Sequence, residues 1–528
     1  MGYYPHELRV DPALCRGQFM LTGRPELIPS GWETRASGRW TLGYARPLVC
    51  APIRRGEVVL GWVVGHAVDE SVGLLDESDG IRLPSGETPA ALADRLIGRF
   101  VLLDLSGDAP RAHQDIYGML AAVFAPEEDT LASTGLLIPP SSRTPYDVDR
   151  IIATDIPYRS AMYPVGLTPR RGMERLLPNH VLDLGNWQQT RTWPVSGIVQ
   201  NADPAPVTAR TARIVRRTME AVRDRIPLQI PLTAGLDSRL LLACGRDLLD
   251  GTLFFTADLG DEGGWQDVAA ARRIADRFGL HHRVFPWRTA RRRDLHAWAV
   301  RTGGETGEIR GWRSCRTLGM QEPGRASMTG FLGELARAYW WQRFDERTVV
   351  TPEFILGRCG VGRRREFVER AEWWLAGLPP LNGIAAVEVL YLEQRGACWA
   401  GVVEYGELGD SALRLPPLGQ ADLVRDLLTL PDDYRRGRRV HLDIIQAAWP
   451  ELLEIPFNED WIVPPSRQRL YRARRRFRQS TFEWGRIWRK VRQPGWLVRR
   501  LGLSRRPAAR GEEVGTFRGE KEKPQSEP

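Results

Sequence analysis

The sequence predicts a mixed α/β protein in which a mostly β amino-terminal part precedes a doubly wound parallel sheet and a helical carboxyl-terminal part. Three observations support this prediction. A chain of 528 residues is long enough for two or three hydrophobic cores, since a single core rarely exceeds roughly 250–300 residues. Short apolar runs between turn signals fill the first part, and strand and helix patterns alternate in the second. The apolar fraction of 42% and the charged fraction of 26% are ordinary for a globular protein.

The amino-terminal part, predicted as a first domain over residues 1–200, has the pattern of a β-rich region. Apolar runs such as Val58–Val64 are bounded by Gly, Pro and Asp, which favour turns. One helix is predicted over Pro89–Ile97, with Thr88 as its N-cap. The stretch Asn201–Val207 is rich in Pro and Ala and is interpreted as a linker.

From residue 208 to 465 helix and strand patterns alternate, which predicts a second domain built on a parallel sheet with helices on both faces. A largely helical stretch is predicted over residues 350–460. The first elements in chain order are helix Thr208–Arg225, strand Ile226–Leu232, helix Ser238–Leu248, strand Gly251–Thr256, helix Trp265–Phe278 and a strand that begins at Arg283.

Composition also limits the location of the protein. The sequence has no run of about 18 apolar residues, so we expect no membrane-spanning helix. Its first residues lack the basic and apolar regions of a secretory signal, which favours a cytoplasmic location.

The six cysteines form no Cys-x-x-Cys pair. Scattered buried thiols are therefore expected, rather than a zinc site or a disulfide framework.

The positive charge is concentrated in residues 466–528, which we predict to form a basic and partly disordered tail. This tail contains 19 Lys and Arg against 6 Asp and Glu, whereas the rest of the chain contains 55 against 59. Tryptophans are interleaved with the basic residues. A solvated or amphipathic helix is the simplest interpretation. Binding to nucleic acid or to another anionic surface also stays open.

One segment of the second part has the features of a phosphate-binding loop. An apolar strand ends, a turn of small residues follows, and a helix begins, so that backbone N–H groups point towards one place. The segment reads Leu232-Thr233-Ala234-Gly235-Leu236-Asp237-Ser238. Ala234 and Gly235 permit close approach of a ligand, while Thr233 and Ser238 add hydroxyl groups. The carboxyl end of a strand is also where open α/β sheets bind ligands.

Asp237 would repel a phosphate unless a divalent cation lay between them, and a Mg²⁺ ion held by Asp237 removes this conflict. A Walker A loop is excluded because that loop requires a lysine. The chain has only Lys490, Lys521 and Lys523, all in the basic tail. A helix N-cap without any ligand is the alternative interpretation of the segment.

The string Thr233–Ser238 resembles the Ser-Gly-Gly-Leu-Asp-Ser pyrophosphate loop of the asparagine synthetase family. Phe254-Phe255-Thr256 resembles the family's next strand, whose end contacts the nucleotide. Thr329-Gly330-Phe331-Leu332-Gly333-Glu334 is similar to the element that supplies a second magnesium carboxylate, with Phe331 in place of the first acidic residue. The resemblance implies ATP and Mg²⁺ as cofactors, Asp237 and Glu334 as metal ligands, and Thr256 and Gly330 at the nucleotide.

The amino-terminal part is similar to the family's glutaminase domain, an Ntn-type αββα sandwich. The similar motifs are Leu96–Leu102, Asp115–Gly118 and Leu177–His180. An active glutaminase of this type uses an amino-terminal Cys with its free amine. Here residue 2 is Gly, and Cys15 is internal. We therefore predict a degenerate domain without glutamine hydrolysis, as in β-lactam synthetases and lasso-peptide cyclases, which use an amine already present on the substrate.

The resemblance implies an AMP-forming ligase that adenylates a carboxylate and passes it to an amine. The substrates would be a small-molecule or peptide carboxylate and amine. Arg438 or Arg439 would replace a family lysine that contacts phosphate. Tyr391 and Glu393 would form the acid/base pair, although a structural role for both remains open. Glu404-Tyr405 is a second candidate pair.

Two other functions remain open. Pyrophosphatases that activate a tRNA base for thiolation use a similar loop, and a basic tail with Trp484, Trp488 and Trp496 could bind RNA. The amidotransferase-like layout and the lack of an evident catalytic Cys pair oppose this function. The second is a catalytically inactive scaffold that kept the fold. The replacement at Phe331 favours it, and the retained carboxylates oppose it.

Overall fold

The computed structural model describes residues 3–156, 158–407, 413–458 and 461–492. Within these ranges the protein is mixed α/β, with a sheet-rich amino-terminal part, a parallel sheet and a helical carboxyl-terminal part. In the same ranges, no helix combines the length and the apolar character needed to cross a bilayer.

Two sheets form the amino-terminal part. The first has the strand order β12-β10-β11-β1-β3-β2, and all its neighbouring strands are antiparallel. The second has the order β14-β13-β9-β8-β5-β4-β7, with β6 also paired to β5, and only β4 and β7 are parallel. The strands are β1 (Phe19–Thr22), β2 (Glu33–Ser37), β3 (Trp40–Tyr44), β4 (Val49–Arg55), β5 (Val58–Asp69), β6 (Gly73–Leu74), β7 (Ile81–Arg82), β8 (Ile97–Asp104), β9 (Arg111–Gln114), β10 (Val123–Ala125), β11 (Thr130–Ala132), β12 (Glu174–Arg175), β13 (His180–Asp183) and β14 (Gln189–Arg191).

A third sheet, all parallel, follows in the second part. Its order is β17-β16-β15-β18-β19, so the direction of strand addition reverses between β15 and β18. Its strands are β15 (Leu228–Pro231), β16 (Leu253–Ala257), β17 (His282–Phe285), β18 (Ala326–Met328) and β19 (Arg414–Leu415). In open α/β sheets such a reversal opens a crevice at the carboxyl ends of the strands, where ligands bind.

Most helices lie in the second part. Helix α10 continues directly into a π-helical segment, Tyr391–Ala400, and then into α11. The α-helices are α1 (Pro89–Arg95), α2 (Val148–Thr154), α3 (Pro204–Arg223), α4 (Leu236–Cys244), α5 (Glu262–Phe278), α6 (Arg292–Arg301), α7 (Glu308–Leu318), α8 (Pro352–Cys359), α9 (Arg365–Ala376), α10 (Gly383–Leu390), α11 (Gly401–Glu407), α12 (Ala421–Leu428), α13 (Asp432–Arg436), α14 (Arg439–Ala448) and α15 (Pro465–Arg492).

The two antiparallel sheets pack face to face, with Phe19 and Leu42 of one sheet and Val64 and Val101 of the other in a shared core. Helix α1 covers the outer face of the second sheet. The outer face of the first sheet packs against Ala299 of α6. The helix on one outer face thus comes from residues 1–200, and the helix on the other comes from the second part.

The two parts also share a continuous apolar core. Tyr117 and Met119 of the amino-terminal part are buried in the same cluster as Leu236 and Leu332 of the second part. The predicted linker over Asn201–Val207 is wrong in its second half, because α3 begins at Pro204. The Asp203 side chain accepts a hydrogen bond from the helix, and proline is favoured in a first helical turn.

Candidate functional site

The predicted phosphate loop joins β15 to α4, and its own hydroxyl groups brace it. The Ser238 Oγ lies 2.9 Å from the Thr233 Oγ1 and accepts a hydrogen bond of 3.2 Å from the Thr233 backbone N–H. The Gly235 N–H donates to the Thr233 Oγ1 over 3.2 Å. Leu236, the first residue of α4, is buried in the core. The loop is therefore held in a defined shape by residues that were predicted to bind phosphate.

Thr256, at the end of the neighbouring strand β16, is tied to this loop. Its Oγ1 donates to the Leu232 carbonyl over 2.6 Å and lies 2.9 Å from the His282 Nε2. The Leu232 N–H in turn donates to the Phe255 carbonyl over 2.8 Å. The structure thus places two predicted nucleotide-contacting positions, Leu232 and Thr256, side by side at one edge of the parallel sheet.

One loop amide already has an anionic partner. The Ala234 N–H donates to the Asp267 Oδ1 over 3.0 Å. Burial raises the pKa of Asp267 to about 6, an effect that the Ala234 hydrogen bond partly offsets and the charge of Asp261 reinforces. A phosphate at this amide would compete with the Asp267 carboxylate. The sequence pattern did not identify Asp267 as part of the site.

Two basic side chains, Arg337 and His441, contact the carboxylate of Asp237. The Arg337 Nε lies 3.2 Å from its Oδ1 and the Arg337 Nη2 lies 2.9 Å from its Oδ2. The His441 Nε2 lies 2.8 Å from its Oδ1. Burial opposes ionisation of Asp237, but His441 and Arg337 outweigh burial and lower its pKa to about 2. Both partners were missed as site residues, because only the packing of α14 and the turn Gly333–Arg337 against α4 brings them there.

Glu334 lies in that same turn and interacts electrostatically with Asp237. Burial first, and then the Asp237 charge, raise the pKa of Glu334 to about 7, while Arg337 and Tyr391 partly offset the rise. The Glu334 Oε2 is buried and has no hydrogen-bond partner among the described residues. The structure therefore brings the two predicted metal ligands together.

Gly330 and Gly333 allow the segment after β18 to lie close to Asp237. A Cβ on Gly330 would lie 2.8 Å from the Cβ of Asp237, and a Cβ on Gly333 would clash with the Asp237 carboxylate. Side chains at these positions would therefore push the loop after β18 away from α4. Gly330, predicted at the nucleotide site, contacts Asp237.

Asp237 and Glu334 are the carboxylates that this site could offer to Mg²⁺. In the described part of the chain, no cluster of three or more His, Cys, Asp or Glu side chains could enclose a metal by itself. Magnesium at a nucleotide usually takes only one or two protein carboxylates, with phosphate and water completing its shell. Asp237 and the unpartnered oxygen of Glu334 fit that requirement, provided that Arg337 releases Asp237.

Tyr391 lies beside these carboxylates. Its ring stacks on that of Tyr117 with 5.6 Å between centroids, and Tyr117 also lies 6.5 Å from the Phe331 ring. Burial, together with Tyr117 and Glu334, raises the pKa of Tyr391 well above its usual value. Tyr391 is the first residue of the π-helical segment, and such segments are frequent at functional sites.

Glu393, the predicted acid/base partner of Tyr391, has structural partners of its own. Glu393 is fully buried, and its carboxylate accepts hydrogen bonds from Arg191, Trp374 and Asn179 at distances of 2.5–3.3 Å. Residues two apart on a helix do not face each other, so Glu393 points away from the partners of Tyr391. It ties the helix to the amino-terminal part.

The alternative pair, Glu404 and Tyr405, is also buried in packing interfaces. The Tyr405 hydroxyl donates to the Ala121 carbonyl over 2.6 Å. The Glu404 Oε1 accepts from the Arg414 Nη1 over 2.7 Å. Both residues therefore make structural hydrogen bonds, which would have to break before either residue could transfer a proton.

Arg438 and Arg439 do not provide the positive charge next to Asp237. Arg439 is exposed and pairs with Asp443 over 2.6 Å. Arg438 precedes α14 in a left-handed conformation with φ of 57°. Among the ion pairs of the described residues, Asp237 contacts Arg337 and His441 instead. The predicted contact of Arg438 or Arg439 with phosphate stays a prediction.

Neither the models of protein families nor the curated proteins searched gave a match to this chain.

Proposed function

We propose that the protein is an ATP-dependent, AMP-forming amide ligase of the asparagine synthetase type, independent of glutamine. One observation carries the proposal. Asp237 follows β15 and Glu334 follows β18, so two carboxylates meet beside a loop at the point where the strand order reverses. Carboxylates are protein ligands that Mg²⁺ takes at a nucleotide, and the start of a helix suits the phosphates.

In the proposed reaction a substrate carboxylate attacks the α-phosphorus of ATP, and pyrophosphate leaves. An amine then attacks the acyl-adenylate, giving the amide and AMP. Positioning and charge neutralisation supply most of the catalysis in such transfers. A Mg²⁺ ion held by Asp237 and Glu334 would neutralise phosphate charge. The amides of Ala234 and Gly235 would orient the pyrophosphate after exchanging their present acceptors, the Asp267 Oδ1 and the Thr233 Oγ1.

Arg337 has a double role in this proposal. In the absence of nucleotide it balances the charge of Asp237, as its distances of 2.9 and 3.2 Å indicate. If a cation took its place, the guanidinium would be free to bind phosphate bidentately. His441 keeps Asp237 oriented from the opposite helix, α14.

Tyr391 is the residue that we propose to hold a proton near the attacking amine. Its raised pKa keeps the phenol protonated, so it donates a hydrogen bond rather than acting as a strong base. Tyr117 of the amino-terminal part stacks on it and fixes its ring. The amino-terminal part would then support the ligase site, rather than supply ammonia. Burial also raises the pKa of Cys15 to about 11, which opposes a thiolate nucleophile there.

The proposal is tested by product analysis. The full-length protein is incubated with Mg²⁺, ATP and panels of carboxylic acids and amines, and AMP, ADP, pyrophosphate and phosphate are separated. AMP and pyrophosphate are expected in equal amounts, with none from Asp237→Asn. Asp247→Asn, which changes an exposed carboxylate paired with Arg216, is the matched control and should stay active. ADP and phosphate as products, or an active Asp237→Asn variant, would contradict the proposal. Glutamate formation from glutamine would contradict its glutamine independence.

A second candidate is a catalytically inactive scaffold. It is favoured by one specific observation, namely that Arg337 and His441 together contact both oxygens of Asp237, while Phe331 replaces an acidic residue. Under this alternative the ion pairs are permanent structural contacts. Absence of nucleotide binding would then separate the scaffold from an enzyme whose substrates were missing from the panel.

A further inference from the structure

Helix α15 is the most basic element of the described chain. It runs over Pro465–Arg492 and contains 11 Lys and Arg residues against one acidic residue, Glu483. With 28 residues it is roughly 42 Å long at 1.5 Å per residue.

The first turns of α15 are fixed to the body of the protein. Tyr471 is buried, with 7% of its surface exposed. The Arg474 guanidinium lies 5.2 Å from the centre of the Trp287 ring, and the Gln468 Nε2 donates to the Val463 carbonyl over 2.9 Å. One side of the helix therefore has a partner within the chain.

A different side of α15 exposes an apolar stripe formed by Leu470, Phe477 and Trp484. The exposed fractions of these residues are 47%, 72% and 61%. A spacing of seven residues keeps them in line, with a drift of only about 20° per step. Tyr471, one residue after Leu470, points roughly 100° away because an α-helix has 3.6 residues per turn. The stripe therefore does not coincide with the anchored side.

Exposed arginines occupy other directions around the helix, among them Arg467, Arg469, Arg472 and Arg476. A helix that combines an aromatic stripe with a strongly cationic remainder is typical of helices that lie in the plane of a membrane surface. The apolar side chains enter the boundary between headgroups and acyl chains, and long arginine side chains reach the phosphates. Charge complementarity requires that the lipid be anionic.

We infer that α15 docks the protein on an anionic lipid bilayer, with Leu470, Phe477 and Trp484 inserted at the headgroup boundary. This inference does not depend on the proposed ligase activity. RNA could pair with the arginines, and its bases could stack on Phe477 or Trp484. It would give no role to Leu470 or to the alignment of the three apolar side chains.

The test is vesicle flotation of the full-length protein. Vesicles of phosphatidylcholine with phosphatidylglycerol are compared with vesicles of phosphatidylcholine alone, at low and at high salt. We expect flotation only with the anionic vesicles and weaker flotation at high salt. The double variant Phe477→Ser/Trp484→Ser should lose about tenfold or more in lipid affinity, because the apolar contacts are removed while every cation remains. Val195→Ser/Val349→Ser is the matched control, since these valines are also exposed, by 75% and 76%.

Circular dichroism and thermal unfolding establish that both double variants remain folded. Equal flotation with neutral vesicles, or undiminished flotation of the Phe477→Ser/Trp484→Ser variant, would overturn the inference. Binding to a single-stranded RNA in preference to anionic vesicles, with the same RNA affinity in both double variants, would overturn it as well.

Discussion

Arg337 holds Asp237 through a two-point ion pair, with its Nη2 2.9 Å from Oδ2 and its Nε 3.2 Å from Oδ1. This geometry matches the fork of a guanidinium to the two oxygens of a carboxylate. Asp237 is also the residue that the sequence pattern assigns to Mg²⁺. A cation bound by Asp237 would therefore compete with Arg337 for the same oxygens.

Removal of Arg337 should destabilise the protein. Arg337→Gln leaves the partly buried Asp237 with His441 as its ion-pair partner among the described residues, so the free energy of unfolding should fall by about 1–3 kcal/mol. Urea unfolding at neutral pH measures this change. Arg439→Gln is the control, because Arg439 is exposed and such pairs contribute at most about 1 kcal/mol. Equal effects of the two substitutions would contradict the role assigned to the Arg337 pair.

The raised pKa of Glu334 predicts a pH dependence of stability. Its value is about 7 in the folded protein against an ordinary 4.5. A raised folded-state pKa stabilises the protein fully below pH 4.5, and this contribution is lost as the pH rises through 7. Glu334→Gln, which stays neutral, should therefore be more stable than the wild type at pH 8, by about 1–3 kcal/mol, and similar to it near pH 5. A Glu334→Gln variant less stable than the wild type at pH 8 would show that the carboxylate is favourably bound there.

The lowered pKa of Asp237 predicts that stability falls as the pH is lowered, opposite to the trend for Glu334. Its folded-state pKa of about 2 lies below the ordinary 3.8. The ionised carboxylate stabilises the protein above pH 4, and this stabilisation is lost as the pH falls from 4 towards 2. The difference in unfolding free energy between the wild type and Asp237→Asn should shrink over that interval. A difference that is constant from pH 5 to pH 2.5 would refute the assigned ion pair.

The packing of the π-helical segment on the amino-terminal part should tolerate no added methyl group. A Cβ on Gly396 would clash with the Tyr117 carbonyl, so Gly396→Ala should cost about 1–3 kcal/mol and disturb Tyr391 above it. Gly357 of α8 is the matched helical control, because nothing lies within 4 Å of an added Cβ there. Gly357→Ala should be neutral or stabilising by up to about 1 kcal/mol. Denaturant unfolding of both variants checks this contrast.

Glu393 should behave as a structural residue. Loss of its buried pair with Arg191 should lower the unfolding free energy by about 3–5 kcal/mol in Glu393→Ala. In a double-mutant cycle with Arg191→Ala the two effects should be strongly non-additive, since each leaves the other charge buried and unpaired. Additive effects would reopen a role for Glu393 outside this pair.

Local patterns predicted several elements well, in both parts of the chain. The helix predicted over Pro89–Ile97 is observed as Pro89–Arg95, and its predicted cap, Thr88, accepts a hydrogen bond from the Ala91 N–H over 3.2 Å. The strand predicted over Ile226–Leu232 is observed as Leu228–Pro231. Hydrophobic periodicity and capping residues act over a few positions, so a single sequence contains this information.

Long-range pairings were not predictable in the same way. Arg337 and His441 are separated from Asp237 by 100 and 204 positions, and nothing in their local sequence indicates the contact. The contacts of Glu393 are equally hidden from a single sequence, because its partners, Arg191 and Asn179, lie in the other part of the chain. The two-residue strand β19 is also too short to give a periodic signal.

Binding of a magnesium nucleotide tests the central claim most directly, because it requires no knowledge of the acid or the amine. Calorimetric titration with α,β-methylene-ATP is performed with and without Mg²⁺, on the wild type, Asp237→Asn and the surface control Asp247→Asn. We expect Mg²⁺-dependent binding to the wild type and to the control, and a loss of at least about tenfold in affinity in Asp237→Asn. No binding to the wild type, or equal binding to Asp237→Asn, would contradict the account of this site.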